Sequence, residues 1–334
     1  MKENAMQTKA IIFTAPHHVI LDTVQIPAPA AGEVLLEALY TLISPGTDLR
    51  CRAGKQEGVV FPFIPGYSFV GRVLARGEGA TLQEGTIVYC NGTSAASVNL
   101  AWGGHVSHAV RSERELYPVP AGLDPLYASA AHLAAIAYRG VRLSRPQAHE
   151  TGAVIGLGAI GALAARLHAL TGARVVAADL SPYRVTLSQQ TGIEAFVPQG
   201  ALAEAFAAKL PGGADVVVDA TGAPAVLPQA IEVAKQKPWD DGADLGARFV
   251  VQGSYPDTFS IPYQPAFRRE LSFHVPRDAQ PRDFRTVLDF MQRGVLDVSG
   301  IISDVRPPES AAETYAALAE PSAELITVAF QWRS

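Results

Sequence analysis

From Lys9 to about Gly122, apolar and polar positions alternate over short runs broken by Gly and Pro, as in KAIIFTAP, HVILDTVQIP, GEVLLEALY, FVGRVLARGEG, GTIVYCNG and GHVSHAVRS. Alternation with a period of two turns one face of each run toward a core, and the regular turn residues predict a mostly β, barrel-like domain. After AGLDP the pattern changes. In PLYASAAHLAAIAYRGVRLS, Ala, Leu and Ile recur at helical spacing, and the chain then alternates apolar runs with helical segments. GAVIGLG, ARVVAAD, AFVP, DVVVDATG and RFVVQGSY predict strands, and the helices between them are expected to begin at Ile160, Pro182, Ala201 and Pro224. This rhythm predicts an α/β fold, a doubly wound parallel sheet with helices on both faces. From about Arg269, RRELSFHV, PRDFRTVLDFMQRGVL and ELITVAFQW are expected to return the chain to the first domain. The organisation is therefore 1–122 as the β-rich domain, 123–268 as the parallel-sheet domain and 269–334 as the return.

Length and composition narrow the functions. With 334 residues, 48% of them hydrophobic, the chain can fill two cores. A net charge of -5 with scattered Lys and Arg excludes nucleic acid as a principal partner. Cys51 and Cys90 make neither a disulfide framework nor a metal knuckle, which fits a reducing cytoplasm. The opening MKENAMQTKAIIF lacks a signal-peptide core, and no run reaches the roughly 18 apolar residues of a membrane span. A cytoplasmic protein without a membrane partner is expected.

The most specific signal is TGAVIGLGAIG, where Gly156, Gly158 and Gly161 form G-x-G-x-x-G between a strand and a helix. Gly156 allows the tight turn, Gly158 lets a pyrophosphate approach the backbone, and Gly161 lets the helix pack closely on the strand. The helix opens at Ala159 and Ile160, offering unpaired N–H groups and a positive dipole end to phosphates. Asp179 ends the second strand about 20 residues on, where it can accept hydrogen bonds from both adenosine ribose hydroxyls. Its carboxylate would repel a 2′-phosphate, so NAD(H) is favoured over NADP(H). Arg184 follows, placed to cover the adenine face or to reach a phosphate.

The order of a β-rich domain, a GLGAIG domain and a short return resembles the medium-chain dehydrogenase/reductase superfamily over nearly the whole chain. GEVLLEALYTLISPGTDL, PFIPGYSFVGRVLARGEG, GGHVSHAV, AVIGLGAIG, VVAADLSPYR, DVVVDATGAPAVL and RFVVQGSY carry the resemblance. It implies a GroES-like catalytic domain, a Rossmann NAD(P)-binding domain with Thr221 beside the cofactor, and a small-molecule substrate. It also implies a homodimer joined through edge strands near RFVVQGSYPDTFSIPY. The departures bear on the chemistry. Pro45 stands where zinc-dependent members carry a Cys ligand, and Gly66, Tyr67 and Ser68 replace their Gly-His-Glu. Only His132 aligns with a ligand, and the lobe of four cysteines is missing. A catalytic zinc needs three protein ligands, so a zinc-independent branch, with no metal, is expected. The alternative is a rebuilt site around Cys51, His132 and His105.

Without zinc, protein donors must stabilise the oxyanion. The resemblance implies that Thr47, Tyr67 and His132 converge on the nicotinamide face. Tyr67 is the first choice for acid/base, because the charge of an oxidised nicotinamide would lower a phenol value of about 10. His132 and Thr47 are the alternatives, and Tyr67 as mere filler of the vacated metal volume stays open. Ser44, Trp102, His105 and Tyr255 are expected pocket walls. The leading reading is an NAD(H)-dependent oxidoreductase interconverting a secondary alcohol and a ketone on a polar or ring-bearing metabolite. The alternatives are a zinc-free reductase of an activated C=C bond and a non-catalytic dinucleotide-binding regulator.

Overall fold

The runs rich in Val and Ala have no polar face to offer water, and they pack as a parallel sheet buried on both sides. The computed structural model describes residues 5–240, 242, 246–255, 258–320 and 324–333. The chain divides into two compact units: Met1–His132 with Leu288–Arg293 and Val298–Ser334, and Leu133–Val287 with Gly294–Asp297.

In the second unit six strands are all parallel, in the order Glu194–Phe196, Arg174–Ala178, Thr151–Ile155, Val216–Asp219, Arg248–Val251 and Ser272–His274. Numbered along the chain this is 3-2-1-4-5-6, the dinucleotide-binding order with its switch point beside the first strand. Ala153, Val176, Val217 and Phe249 are fully buried at its centre. The helices are Ala159–Ala169, Pro182–Gln190, Leu202–Ala207 and Leu227–Val233. The last starts after Pro224, because residues 222–226 turn first.

Two expectations change here. Ser272–His274, expected to begin the return, is the sixth strand of this sheet, with Phe273 facing Phe249 in register. Arg269 anchors the approach through bonds to the Ala234 and Glu232 carbonyls, and Leu271 and Phe273 pack on this core. Consequently Arg248–Val251 is paired on both sides, and the sheet edge lies at residues 272–274 rather than in RFVVQGSYPDTFSIPY. Pro256 and Asp257 of that stretch lie outside the described residues.

The first unit carries a seven-stranded and a four-stranded sheet. Glu33–Leu42 lies at the centre of the larger one, antiparallel to Phe69–Arg76, His108–Ser112 and Thr327–Gln331. Irregularities in its register at residues 35–36 and 38–40 bend the strand. The sheets enclose Leu36, Phe69, Val73 and Val88. Thr327–Gln331 is thus the strand by which the C-terminal segment joins this unit. Among the described residues, no helix is long and apolar enough to cross a membrane.

One buried group ties stability to pH. His168, 1% exposed, donates from Nδ1 to the Ala164 carbonyl at 2.8 Å. Burial, reinforced by the Arg248 charge and only partly offset by that bond, pushes its imidazole down to about 4. Unfolding lets it bind a proton below about pH 6.5. Its contribution is complete above that value and is lost as pH falls toward 4, at about 1.4 kcal/mol per unit. Urea denaturation at pH 5 should show about 2 kcal/mol less stability from this residue than at pH 7, and His168→Gln should lack that loss.

Candidate functional site

The segment Ile43-Ser44-Pro45-Gly46-Thr47-Asp48 starts a helix, Pro45–Arg52, with Ser44 at the N-cap and Pro45 in the first turn. Proline is pre-set for that position. Capping here is reversed, however: the Ser44 side chain makes no bond to the helix backbone. Instead the Ser44 N–H donates to Asp48 Oδ2 at 3.0 Å, which leaves the serine hydroxyl for another partner. That partner is Tyr67, whose Oη lies 2.5 Å from Ser44 Oγ and 3.4 Å from Thr47 Oγ1.

Tyr67 is held from several sides. Its backbone carbonyl accepts from Tyr89 Oη at 2.9 Å and from His132 Nδ1 at 3.2 Å. A carbonyl only accepts, so the neutral His132 ring carries its proton on Nδ1 and its lone pair on Nε2. The imidazole lies 4.5 Å from the Tyr67 ring centre, and the Trp102 indole meets that ring edge-on at 5.4 Å. Tyr67, Ser44 and His132 are buried, whereas Trp102 is 39% exposed. Trp102 also has φ 69°, a left-handed conformation costly for a bulky residue and found mostly where function demands it.

Gly66 and Gly104 let this tyrosine sit where it does. Gly66 has φ +85°, and a Cβ there would lie 2.6 Å from the His105 ring; a Cβ on Gly104 would lie 2.7 Å from the Gly66 carbonyl. His105 is therefore not a pocket wall as expected. It is wholly buried behind Gly66, with Nδ1 2.8 Å from Thr41 Oγ1 and Nε2 3.5 Å from Asp48 Oδ2. Trp332 Nε1 donates to the same Thr41 oxygen at 2.9 Å. Thr41 Oγ1 thus joins the indole of Trp332 to the ring of His105, whose other nitrogen faces Asp48. Burial and the Asp48 charge raise the Tyr315 phenol, and burial, then Asp48, push the Cys51 thiol up to about 12. Cys51 is thus a protonated, buried thiol. Among the described residues, no three His, Cys, Asp or Glu side chains gather as a metal cluster.

The second unit builds a separate cradle. Gly156 has φ +88°, and a Cβ on Gly161 would fall 1.8 Å from the Gly156 carbonyl oxygen, so the helix Ala159–Ala169 meets the loop at glycine distance. A Cβ on Gly158 would meet nothing within 4 Å, which leaves open space over the loop. Asp179 Oδ2 accepts the Leu157 N–H at 2.6 Å, Asp179 Oδ1 accepts the Ser181 N–H at 2.8 Å, and Arg184 Nη1 stands 3.7 Å away. A carboxylate has about four lone-pair sites, so two remain for ribose hydroxyls. Thr221 flanks Gly156 but spends its hydroxyl on Asp219 Oδ1 at 2.7 Å. Tyr255 belongs to this unit and donates its hydroxyl to Asp219 Oδ2.

The structure therefore brings Ser44, Thr47, Tyr67, His132 and Trp102 together in the first unit, and Gly156, Gly158, Gly161, Asp179, Arg184 and Thr221 together in the second. Tyr89 and Thr41 were not foreseen. Tyr89 sits in the apolar strand Ile87–Cys90 and Thr41 near the end of Glu33–Leu42, weak signals without the fold.

Comparison with known proteins gives consistent matches. The alcohol dehydrogenase GroES-like domain model matches residues 30–121, and the zinc-binding dehydrogenase model matches residues 159–293. A 2-desacetyl-2-hydroxyethyl bacteriochlorophyllide A dehydrogenase of Cereibacter sphaeroides is 24% identical, over 98% of this chain and 99% of that protein. An L-galactonate-5-dehydrogenase of Escherichia coli is 25% identical, over 91% and 93%. Among solved structures, an Escherichia coli short chain alcohol dehydrogenase complexed with NADH has a TM-score of 0.84 at 20% identity, covering 98% of this chain and 99% of that one. A candidate zinc-binding dehydrogenase of Sinorhizobium meliloti bound to NADP has a TM-score of 0.85 at 22% identity, covering 98% and 100%.

The glycine at 66 is the sharpest test of this geometry. Gly66→Ala places a methyl against the His105 ring in a backbone conformation that L-residues avoid. It should lower stability by about 1–3 kcal/mol, read as a lower urea midpoint.

Proposed function

Because the chain belongs to the medium-chain dehydrogenase/reductase superfamily, we propose that it is an NAD(H)-dependent oxidoreductase that interconverts a secondary alcohol and a ketone through side-chain hydroxyls rather than zinc. The observation that carries this reading is the buried Tyr67 phenol within 2.5 Å of Ser44 Oγ and 3.4 Å of Thr47 Oγ1.

Zinc does not fit the residues present. Pro45 has no donor to give, Tyr67 Oη is engaged by Ser44, and His132, with Nδ1 on a carbonyl, offers at most one nitrogen. A catalytic zinc requires three nitrogen, sulfur or carboxylate ligands around an open position. The zinc-binding dehydrogenase model, moreover, matches residues 159–293, which contain none of positions 45, 67 and 132.

A nicotinamide dinucleotide does fit. The open space over Gly158, the close approach at Gly161 and the two unused lone-pair sites of Asp179 suit a pyrophosphate and a ribose diol. The carboxylate at Asp179 favours NAD(H), since a 2′-phosphate would meet a like charge. When bound, the reduced nicotinamide supplies hydride to the carbonyl carbon. The chain's own part is then to stabilise and protonate the oxygen: Tyr67 donates its phenolic proton, Thr47 offers a second hydroxyl, and His132 holds the Tyr67 backbone in place. In the alcohol-oxidising direction the same phenol accepts the proton. A polar or ring-bearing substrate suits these hydroxyls and agrees with the sugar-acid and tetrapyrrole dehydrogenases among the relatives.

Tyr67→Phe should lower turnover roughly tenfold or more while NADH affinity, followed by fluorescence titration, stays unchanged. The assay is a panel of polyols, hydroxy sugar acids and cyclic secondary alcohols with NAD, with product analysis for a new carbonyl. Full turnover in Tyr67→Phe would remove the phenol from the mechanism. Asp179→Ala should weaken NADH binding and narrow its advantage over NADPH; tighter binding of NADPH by the unaltered protein would overturn the cofactor assignment.

A further inference from the structure

Resting on the reading of Tyr67 as the acid/base, we propose that Ser44 is its positioning residue: the Ser44 hydroxyl donates to Tyr67 Oη and stabilises the phenolate that forms when the proton leaves. The serine thereby acts through the tyrosine and not on the substrate.

Four observations converge on this role. Ser44 and Tyr67 are both under 10% exposed, at 6% and 7%, so their 2.5 Å contact is sheltered from competing water. The Ser44 N–H is fixed on Asp48 Oδ2 at 3.0 Å, and Asp48 N–H returns to the Ser44 carbonyl at 2.7 Å, which locks the serine backbone at the start of its helix. Its side chain makes no capping bond, although serine is a residue that normally would. Thr47, the other hydroxyl near the phenol, stands at 3.4 Å, the outer limit of a hydrogen bond. Ser44 is thus the close, fixed partner and Thr47 the loose, more accessible one.

Proton balance sets the direction of the bond. In carbonyl reduction the O–H bond of Tyr67 breaks, its proton joins the substrate oxygen, and the electron pair stays on the phenol oxygen. A hydroxyl 2.5 Å away with its own O–H then donates to that anion, a charge-assisted bond stronger than the neutral one before transfer. Water restores the Tyr67 proton between turnovers. The titratable groups facing this phenol are His132 against its ring, Tyr89 on its carbonyl, and Asp48 behind Ser44. None of these is altered by a change confined to the Ser44 side chain.

The test needs no substrate. Phenolate absorbance near 295 nm is followed against pH for the wild type, Ser44→Ala, Ser44→Cys and Ser44→Thr. The same titration of Tyr67→Phe is subtracted, to isolate Tyr67 among the ten tyrosines. The midpoint of Tyr67 ionisation is expected to rise by about one pH unit, tenfold in the ionisation constant, in Ser44→Ala. It should rise less in Ser44→Cys and return to the wild-type value in Ser44→Thr. Should Ser44→Ala not fold, the isosteric Ser44→Cys carries the measurement. Equal midpoints in all forms, a rise that Ser44→Thr does not reverse, or no ionisation of Tyr67 in the wild type would overturn the proposal. Failure of the parent reading appears elsewhere, as full turnover in Tyr67→Phe.

Discussion

A carboxylate with no exposed surface must find donors inside the protein, because no water is there to solvate it. Asp48 is such a group. It takes the Ser44 N–H at 3.0 Å and faces the Nε2 of His105 and the hydroxyl of Tyr315, each at 3.5 Å. His105 in turn leans on Thr41, and Thr41 on Trp332, so a segment near the chain's end is wired to the start of a short helix. The close approach of His105 to this carboxylate requires Gly66, and the turn at Gly66 aims Tyr67 at Ser44. One buried charge thus organises a helix start, a turn, a C-terminal strand and the hydroxyl cluster.

This dependence separates what the sequence discloses from what it does not. The parallel sheet was legible because ARVVAAD and DVVVDATG are apolar on both faces and sit between helical segments. The glycine-rich turn was legible because its demands, three glycines and a carboxylate after the next strand, fall on fixed local spacings. Ser44, Thr47, Tyr67 and His132 emerged from the family resemblance, which supplies positions but no distances. His105 resisted reading because its burial depends on Gly66, from elsewhere in the chain, lying against its ring and against the neighbouring Gly104. Ser272–His274 was misplaced for a related reason. Three residues hold too little pattern to say which sheet they join, and Arg269 and Phe273 decide it through contacts.

The two units also differ in how they hold their polar groups. In the first, hydroxyls and rings meet over long sequence separations, such as Tyr67 with His132 and Thr41 with Trp332. In the second, the turn after Val216–Asp219 is partly local: Asp219 takes the Thr221 N–H and hydroxyl two residues on, while Tyr255 reaches it from beyond the next strand. Local motifs of the second kind are recognisable from short strings of residues, whereas networks of the first kind become visible only when the strands are assembled.

Asp179 is where cofactor choice and backbone order meet in one side chain. The carboxylate proposed above to disfavour a 2′-phosphate also accepts the Leu157 N–H inside the glycine-rich turn. A lineage or an engineer seeking to switch the dinucleotide cannot treat this position as an independent module. Exchanging the acid for a small or basic residue removes the acceptor of the Leu157 N–H and relaxes the turn, so any such exchange requires a compensating acceptor for that N–H in the same step.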